Sequence, residues 1–137
     1  MIKGKKGIIF GIANDHSIAW GIAKQLHLNG AELAITYQND ILLKRVKPLA
    51  EKVNSNTLIE CDVINEAHIQ NTVDQVKNKF GTIDFIIHAV AYSNKNELNG
   101  RYLETSKDNF INSLSISCYS FTKIAKLFQP IINEGGS

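Results

Sequence analysis

The segment GIIFGIANDHSIAWG, which spans Gly7–Gly21, has the pattern of a buried strand that turns directly into a helix. Its first four residues, GIIF, form a short apolar run between glycines, which is typical of a buried strand. Ser17 is a preferred residue for the start of a helix. Apolar residues then recur every four positions, at Ile18, Ile22 and Leu26, and Ala19 and Ala23 widen this stripe.

The turn inside this segment, Gly11-x5-Ser17-x3-Gly21, is a candidate phosphate site. The start of a helix offers free backbone N–H groups and the positive end of the helix dipole, which together suit a pyrophosphate. The Ser17 hydroxyl can donate to a phosphate oxygen or cap the helix, and Gly21 lets the helix lie close to the sheet or to a ligand. A plain strand–helix turn with a serine cap explains the same residues, so the spacing alone leaves both interpretations open.

The rest of the chain repeats the strand–helix pattern. Short apolar runs predict three more strands, at Ala31–Tyr37, Thr57–Cys61 and Ile83–Ala91. Three more helices are predicted: one carrying Leu42, Val46, Leu49 and Val53 on one face, one capped by Asn65 and stopped by Gly81, and one from about Ser106 to Phe128. Pro48 is expected to bend or split the first of these three helices.

Apolar strands that alternate with amphipathic helices predict a parallel sheet covered on both faces, which is a doubly wound α/β fold. In such a fold with strand order 3-2-1-4-5-6, the fourth strand has a fifth strand as its neighbour. Here the fourth strand would be left as an apolar edge, since no strand is predicted after the fourth helix. The sequence therefore resembles the first half of a longer protein, and no structure is predicted for its last residues, NEGGS.

Composition narrows the classes of function. The chain has 137 residues, enough for one domain, and its formal net charge of +2 does not indicate nucleic acid or an anionic membrane as a partner. No apolar run reaches the roughly 18 residues that span a bilayer. Cys61 and Cys118 lie in no Cys/His cluster, which favours buried free thiols in the cytoplasm over a zinc site. We therefore expect a cytoplasmic protein that holds no metal.

The stretch TYQND ends the second predicted strand. In the usual dinucleotide fingerprint an acidic residue about 20 residues after the glycines binds the adenosine ribose. Here Gln38 stands at the strand end, and its neutral amide can bond a hydroxyl or the adenine. No Lys or Arg lies directly beside it, which favours NAD(H) over NADP(H). The alternative is a turn in which Asp40 caps the next helix.

The stretches CDV and HAVAYSN end the third and fourth predicted strands. Asp62 can accept from an adenine amino group while Val63 packs on the ring, although Asp62 could equally cap the next helix. Ala89 and Ala91 leave room for a flat ligand beside the backbone. His88 is interpreted as a core histidine with a satisfied hydrogen bond rather than a catalytic base.

Together, GIANDHSIAWGIA, AELAITYQND, CDV and HAVAYSN resemble the N-terminal half of bacterial NADH-dependent enoyl-[acyl-carrier-protein] reductases, in the short-chain dehydrogenase/reductase superfamily. The resemblance spans residues 1–137 and implies the N-terminal part of one Rossmann-like dinucleotide-binding domain, with four βα units of a seven-stranded sheet. It also implies NADH-dependent reduction of a trans-2-enoyl group carried on acyl carrier protein in fatty-acid elongation, by a homotetramer.

The resemblance implies roles for individual residues. The pyrophosphate and ribose would be lined by Gly11, Ser17 and Ile18, and the adenosine would lie near Gln38. The adenine would be held by Asp62 and Val63. The nicotinamide-side ribose would lie beside Val90 and Ala91, and the substrate would lie near Ser93.

The resemblance implies no catalytic residue in this chain. The family's catalytic tyrosine and lysine are separated by six residues and follow a fifth strand. Tyr119 and Lys126 have the same spacing, but they lie on the predicted fourth helix, and we interpret this spacing as a coincidence. We therefore expect the isolated chain to be inactive. The alternatives are another short-chain dehydrogenase, such as a ketoreductase, and a non-catalytic nucleotide-binding or dimerisation fragment.

Overall fold

Strands and helices alternate along the chain in the computed structural model, which describes residues 2–137. The first seven elements are β1 Lys6–Phe10, α1 Ile18–Leu28, β2 Glu32–Tyr37, α2 Asp40–Lys52, β3 Thr57–Glu60, α3 Glu66–Phe80 and β4 Phe85–His88. A long helix follows in three parts: α4 Lys107–Leu114, a π-helical segment Ser115–Tyr119 (the π segment), and α5 Ser120–Phe128. Short 3-10 turns lie at Lys95–Glu97, Tyr102–Glu104 and Gln129–Ile131.

The four strands form one parallel sheet of order β3-β2-β1-β4, as expected for a doubly wound fold. Successive side chains of a strand point to opposite faces. Accordingly, Ile9 of the central strand packs in a cluster with α1 and α2, whereas Ile8 and Phe10 pack in a second cluster with α3 and α5. Both faces of the sheet are therefore covered, which explains why β1 is apolar throughout its middle.

The buried face of α1 is the predicted one except at Ile18. The helix begins directly after Ser17, as predicted; Ala19, Trp20 and Ala23 are buried, and Leu26 packs against the same core cluster. Ile18 is 79% exposed, and it does not belong to the packed stripe. Ile18 lies at the edge of the buried stripe, in the first turn of the helix, where its side chain meets solvent.

Pro48 was expected to bend or split the second helix, and the split does not occur, since α2 runs from Asp40 to Lys52 with the proline inside it. Proline removes one N–H and leaves the carbonyl of Lys44, four residues earlier, without its helical donor. Both residues are exposed, so water can satisfy that carbonyl. Buried Val46 and Leu49 on the opposite side hold the helix against the sheet.

The C-terminal residues pair with the start of β4, although no structure was predicted for them. The Ser137 N–H donates to the Asp84 carbonyl (3.0 Å), and the Ile86 N–H donates to the Ser137 carbonyl (2.8 Å). Ile83 forms an isolated parallel bridge with Ile132. β4 itself is shorter than predicted, at Phe85–His88, although the N–H groups of Asp84 and Ala89 on either side still donate to β1 carbonyls.

A carboxylate joins three parts of this edge. Asp84 Oδ2 accepts from the Lys6 N–H (2.8 Å), and Oδ1 accepts from Lys5 Nζ (2.9 Å) and Asn133 Nδ2 (3.1 Å). These bonds, first that from Lys6, lower the pKa of Asp84 from 3.8 to about 2. The ionised side chain therefore ties the start of β1 and the C-terminal segment to β4.

We expect Asp84→Asn to lower the free energy of unfolding by about 1–2 kcal/mol at pH 6, because hydrogen bonds to a charged acceptor become neutral ones. A lowered pKa gives stabilisation that is complete above the ordinary pKa and is lost as the pH falls through the folded one. The difference between wild type and variant, measured by urea unfolding, should therefore shrink between about pH 4 and pH 2. A difference that stays constant over that range would contradict this account. Asp74→Asn, at an exposed carboxylate with one partner, Gln70, is the matched control.

Candidate functional site

A cleft of about 200 Å³ opens where all four strands end. Its wall includes residues from each strand end: Gly11 and Ile12 after β1, Tyr37 and Gln38 at and after β2, Asp62 and Val63 after β3, and Ala89, Val90, Ala91 and Tyr92 after β4. The chain leaves β1 toward β2 on one side and β4 lies on the other side, so the strand order reverses here. Ligands of doubly wound folds bind at such a switch point.

The neighbouring strand end leaves no room for a side chain at Gly11. Its φ is +111°, and a Cβ placed on it would lie 2.1 Å from the Ala89 carbonyl oxygen. The Ala89 N–H donates to the Phe10 carbonyl (3.1 Å), which holds the two strand ends together. Gly21 differs, since a Cβ there would meet no described atom within 4 Å. The expectation that Gly21 lets the helix lie close to the sheet is therefore wrong, whereas close approach of a ligand at Gly21 stays a prediction.

The Ser17 side chain folds the turn before α1. Its Oγ accepts from the N–H groups of Ala13 (3.0 Å) and Asn14 (3.1 Å), and it makes no capping bond to the helix. The predicted capping role was therefore wrong. Because the oxygen accepts both bonds, the hydroxyl proton remains available to a ligand.

The first turn of α1 presents free donors. Trp20 and Gly21 donate to the Ser17 carbonyl, whereas the N–H groups of Ile18 and Ala19 have no partner among the described residues. Free N–H groups at a helix start favour an anion. Neither Ser17 nor Ile18 lines the cleft itself, and both lie at the start of the helix that follows the turn from β1.

Asp62 lies in the cleft wall with a local turn around it. Its Oδ1 accepts from the Ile64 N–H (3.2 Å), while Asn65 caps α3 by accepting from two N–H groups of its first turn. The alternative that Asp62 caps the helix is therefore wrong. The Asp62 N–H donates to His68 Nδ1 (3.2 Å), which requires the tautomer protonated at Nε2.

His68 is a positioning contact that the sequence analysis missed. The side chain lies in the first turn of α3 and supports the backbone of Asp62. The only signal in the sequence is its place three residues after a capping asparagine, which does not by itself point to the cleft.

The end of β2 is free of basic side chains. Gln38 is exposed and lines the cleft, and no Lys or Arg lies among the described residues of the wall. α2 is capped by Asn39, whose side chain accepts from the Leu42 N–H (3.1 Å), and not by Asp40. Burial, followed by the carboxylates of Glu60 and Asp40, raises the pKa of the Tyr37 hydroxyl, which stays neutral in the wall.

The two cysteines have different environments. Cys61 is buried at the end of β3, where burial raises the pKa of its thiol, whereas Cys118 is exposed in the π segment. The prediction of two buried thiols was therefore wrong for Cys118. Among residues 2–137, no three His, Cys, Asp or Glu side chains are placed to hold a metal ion. No helix in this part of the chain is both long and apolar enough to cross a membrane.

His88 has the satisfied hydrogen bond that was predicted. Its Nε2 lies 2.7 Å from Ser120 Oγ, and that hydroxyl donates to the Ile116 carbonyl (2.6 Å). Since the hydroxyl proton goes to the carbonyl, Nε2 is the donor to Ser120. Burial lowers the pKa of His88, which favours the neutral ring.

Ser93 lies outside the cleft. Its Oγ accepts from Asn109 Nδ2 (3.1 Å), and it lines a neighbouring pocket that also contains Leu98, Tyr102 and Phe110. Of the predicted residues, six line the same wall, namely Gly11, Gln38, Asp62, Val63, Val90 and Ala91. Ser17, Ile18 and Ser93 stand apart from it.

Residues 11–137 match the family profile described as Enoyl-(Acyl carrier protein) reductase. The chain belongs to the enoyl-(acyl carrier protein) reductase family. Its motifs had indicated this family, and the match confirms that resemblance.

Individual members of the family are similar along the whole chain. An enoyl-[acyl-carrier-protein] reductase [NADH] of Rickettsia bellii is 53% identical over 137 residues, covering 100% of this chain and 52% of that protein. Enoyl-[acyl-carrier-protein] reductase [NADH] 2 of Rhizobium meliloti is 52% identical, with 100% of this chain and 51% of that protein covered. The chain therefore spans about half the length of the curated relatives it matches.

A solved member of the family has the same fold. The crystal structure of the Anaplasma phagocytophilum reductase in complex with NAD superposes with a TM-score of 0.91 at 48% sequence identity, covering 95% of this chain and 50% of that one. The Rossmann-like α/β fold predicted from the motifs is thereby confirmed.

Proposed function

We propose that the chain forms the cofactor-binding part of an NADH-dependent enoyl-[acyl-carrier-protein] reductase of fatty-acid elongation. The observation that carries this proposal is the cleft, in which predicted cofactor residues from four separate strand ends meet. We further propose that the protein works in the cytoplasm, because its two cysteines are free thiols.

The donors and acceptors of the site fit NADH. The free N–H groups of Ile18 and Ala19 at the start of α1, with the Ser17 hydroxyl, suit the pyrophosphate, and we place Gly11 beside it. The amide of Gln38 suits an unphosphorylated ribose, since no cation stands beside it to receive a 2′-phosphate. When bound, NADH supplies the hydride for the reduction.

The two ends of the cleft suit the two ends of the cofactor. Asp62 keeps an acceptor oxygen for the adenine amino group, and Val63 offers an apolar contact to the ring. Val90 lies at the opposite end, where we place the nicotinamide-side ribose. Ser93 lies beyond it, in the adjoining pocket, where we place the substrate.

We expect Asp62→Ala to weaken NADH binding about tenfold, since it removes a charged acceptor whose hydrogen bond contributes about 1.5 kcal/mol or more. Fluorescence titration of the chain with NADH, and in parallel with NADPH, gives the dissociation constants. Glu60→Ala is the matched control, because Glu60 is an exposed carboxylate at the end of the same strand and does not line the cleft. Absence of NADH binding by the unmodified chain, or tighter binding of NADPH, would overturn the proposal.

We propose that turnover depends on residues outside this chain. Tyr119 is 59% exposed, and neither it nor Lys126 lines the cleft. NADH oxidation by the 137-residue chain with a crotonyl thioester should therefore stay at the background rate. Clear turnover would show that the chain carries its own catalytic groups.

We also propose that the family's homotetramer uses the long helix. Its exposed face carries large apolar side chains, at Phe110, Ile111, Leu114, Tyr119 and Phe121. An exposed apolar patch of this kind marks an interaction surface. Light scattering after size-exclusion chromatography would measure the assembly, and a strictly monomeric chain at all concentrations would count against this contact.

A further inference from the structure

One side of the cleft is fastened to the long helix by a serine. The Tyr92 N–H donates to Ser117 Oγ (2.9 Å), and the same hydroxyl donates to the Tyr92 carbonyl (3.3 Å). The two residues are 25 positions apart in the sequence. Ser117 thus satisfies both backbone groups of a residue that lines the cleft.

The serine lies in the π segment, where the helix departs from regular α geometry. π-Helical insertions are rare and occur frequently at functional sites. Ile116 of the same segment lines the cleft, and its carbonyl accepts from Ser120, the partner of His88. The π segment is therefore tied to the end of β4 at one point and to Tyr92 at a second.

The part of the chain held in this way has few other restraints. β4 ends at His88, and Ala91 and Tyr92 are exposed residues outside regular secondary structure. Among the described residues, the backbone hydrogen bonds of Tyr92 are those to Ser117. Without them, both groups would be solvated by water, and the segment would have to be ordered when a ligand binds.

We infer that Ser117 is a positioning residue for the cofactor cleft: it holds the backbone of Tyr92, and thereby the wall formed by residues 90–92, in the shape that binds the nicotinamide side of NADH. The inference rests on the proposed function. The hydroxyl acts through the backbone of Tyr92 rather than by contact with the ligand, since Ser117 does not line the cleft.

The test compares three variants of the full 137-residue chain. Ser117→Ala removes the hydroxyl, and Ser117→Thr keeps it. Ser115→Ala is the matched control, because Ser115 lies in the same π segment and its side chain makes no hydrogen bond to the described residues. Amide hydrogen exchange at Tyr92, measured by NMR without ligand, reports whether the hydrogen bonds between Ser117 and Tyr92 (the clamp) are present. Fluorescence titration gives the affinity of the cleft for NADH.

In Ser117→Ala we expect exchange at Tyr92 to be at least about tenfold faster, while the amides of β1, which report global unfolding, exchange as in the wild type. NADH should bind about fivefold to tenfold more weakly, because both hydrogen bonds to Tyr92 are lost and the wall must then be ordered when NADH binds. Ser117→Thr should restore both values, and Ser115→Ala should change neither.

Unchanged exchange at Tyr92 in Ser117→Ala would show that the clamp does not hold the backbone of Tyr92, and the inference would fail. Faster exchange with unchanged NADH affinity would overturn the positioning role while leaving the clamp in place. If the β1 amides of Ser117→Ala also exchange faster, the variant is less stable as a whole and Ser117→Thr decides. NADH affinity restored by the threonine hydroxyl supports the positioning role, and affinity that stays low contradicts it. If wild type fails to bind NADH, the proposed function and the positioning role both fail, and exchange at Tyr92 still reports whether the clamp exists.

Discussion

Phe128→Ala is expected to lower the free energy of unfolding by about 3–5 kcal/mol, the range found when a buried phenylalanine is truncated. The Phe128 ring is fully buried and meets the ring of Phe10 edge-on, with centroids 6.1 Å apart and planes at 87°. It also belongs to the core cluster with α3. The substitution would leave a cavity between the long helix and the central strand, because well-packed neighbours relax only partly into such a space.

Urea unfolding of the two proteins measures this effect. Phe121→Ala is the matched control, since Phe121 lies on the same helix and is 57% exposed. Its ring lies nearly perpendicular to that of His88, with centroids 5.7 Å apart, and because Phe121 is mostly exposed we expect its truncation to cost less than about 1 kcal/mol. A loss below about 1.5 kcal/mol for Phe128→Ala would show that α5 contributes little to the core.

Gly11→Ala should cost about 3 kcal/mol and should also abolish measurable NADH binding. The backbone at this position has a φ of +111°, which side chains other than glycine rarely adopt, and the added Cβ would lie 2.1 Å from the Ala89 carbonyl oxygen. Either the strand ends must separate or the turn after β1 must change its path. Both changes would disturb the cleft, because Gly11 and Ala89 line it from two sides.

Gly21→Ala is the control for this substitution. Gly21 lies inside α1, its φ is not positive, and no described atom lies within 4 Å of an added Cβ. We expect this variant to be neutral or to gain about 0.5–1 kcal/mol, as alanine does over glycine in a helix. Unfolding curves and NADH titrations would be recorded for both variants. Equal losses of unfolding free energy and of NADH affinity in Gly11→Ala and Gly21→Ala would contradict the close approach of β1 and β4.

Local signals predicted several features of this fold correctly. The apolar run of β1, the cap at Asn65 and the stop at Gly81 act over a few residues, and the structure has each of them. The parallel sheet and its order followed from four such runs that alternate with helices. The cleft at the strand ends follows from that order, because parallel strands end at the same edge.

Other features depended on residues that are distant in the sequence. Ile18 was predicted to pack and is exposed, Pro48 was predicted to interrupt a helix that remains whole, and the last residues pair with β4. Ile18 and Pro48 lie on the exposed sides of their helices, and the last residues lie beside β4 at the edge of the sheet. The side chains of His68 and Ser117 bond the backbone N–H groups of Asp62 and Tyr92 in the cleft wall, and no local sequence pattern predicts these contacts.

The amino-acid sequence alone determined the elements, their alternation and the family, because helix caps, apolar periodicity and the turn around Gly11 and Ser17 are short-range properties of the chain. The tertiary structure decided which side chains serve the cleft. Ser17 bonds the turn rather than the helix, Asn39 rather than Asp40 caps α2, and Ser117 holds a residue on another element. A polar side chain bonds whichever unsatisfied group the packed elements bring within about 3 Å of it, and only the complete packing determines which group that is.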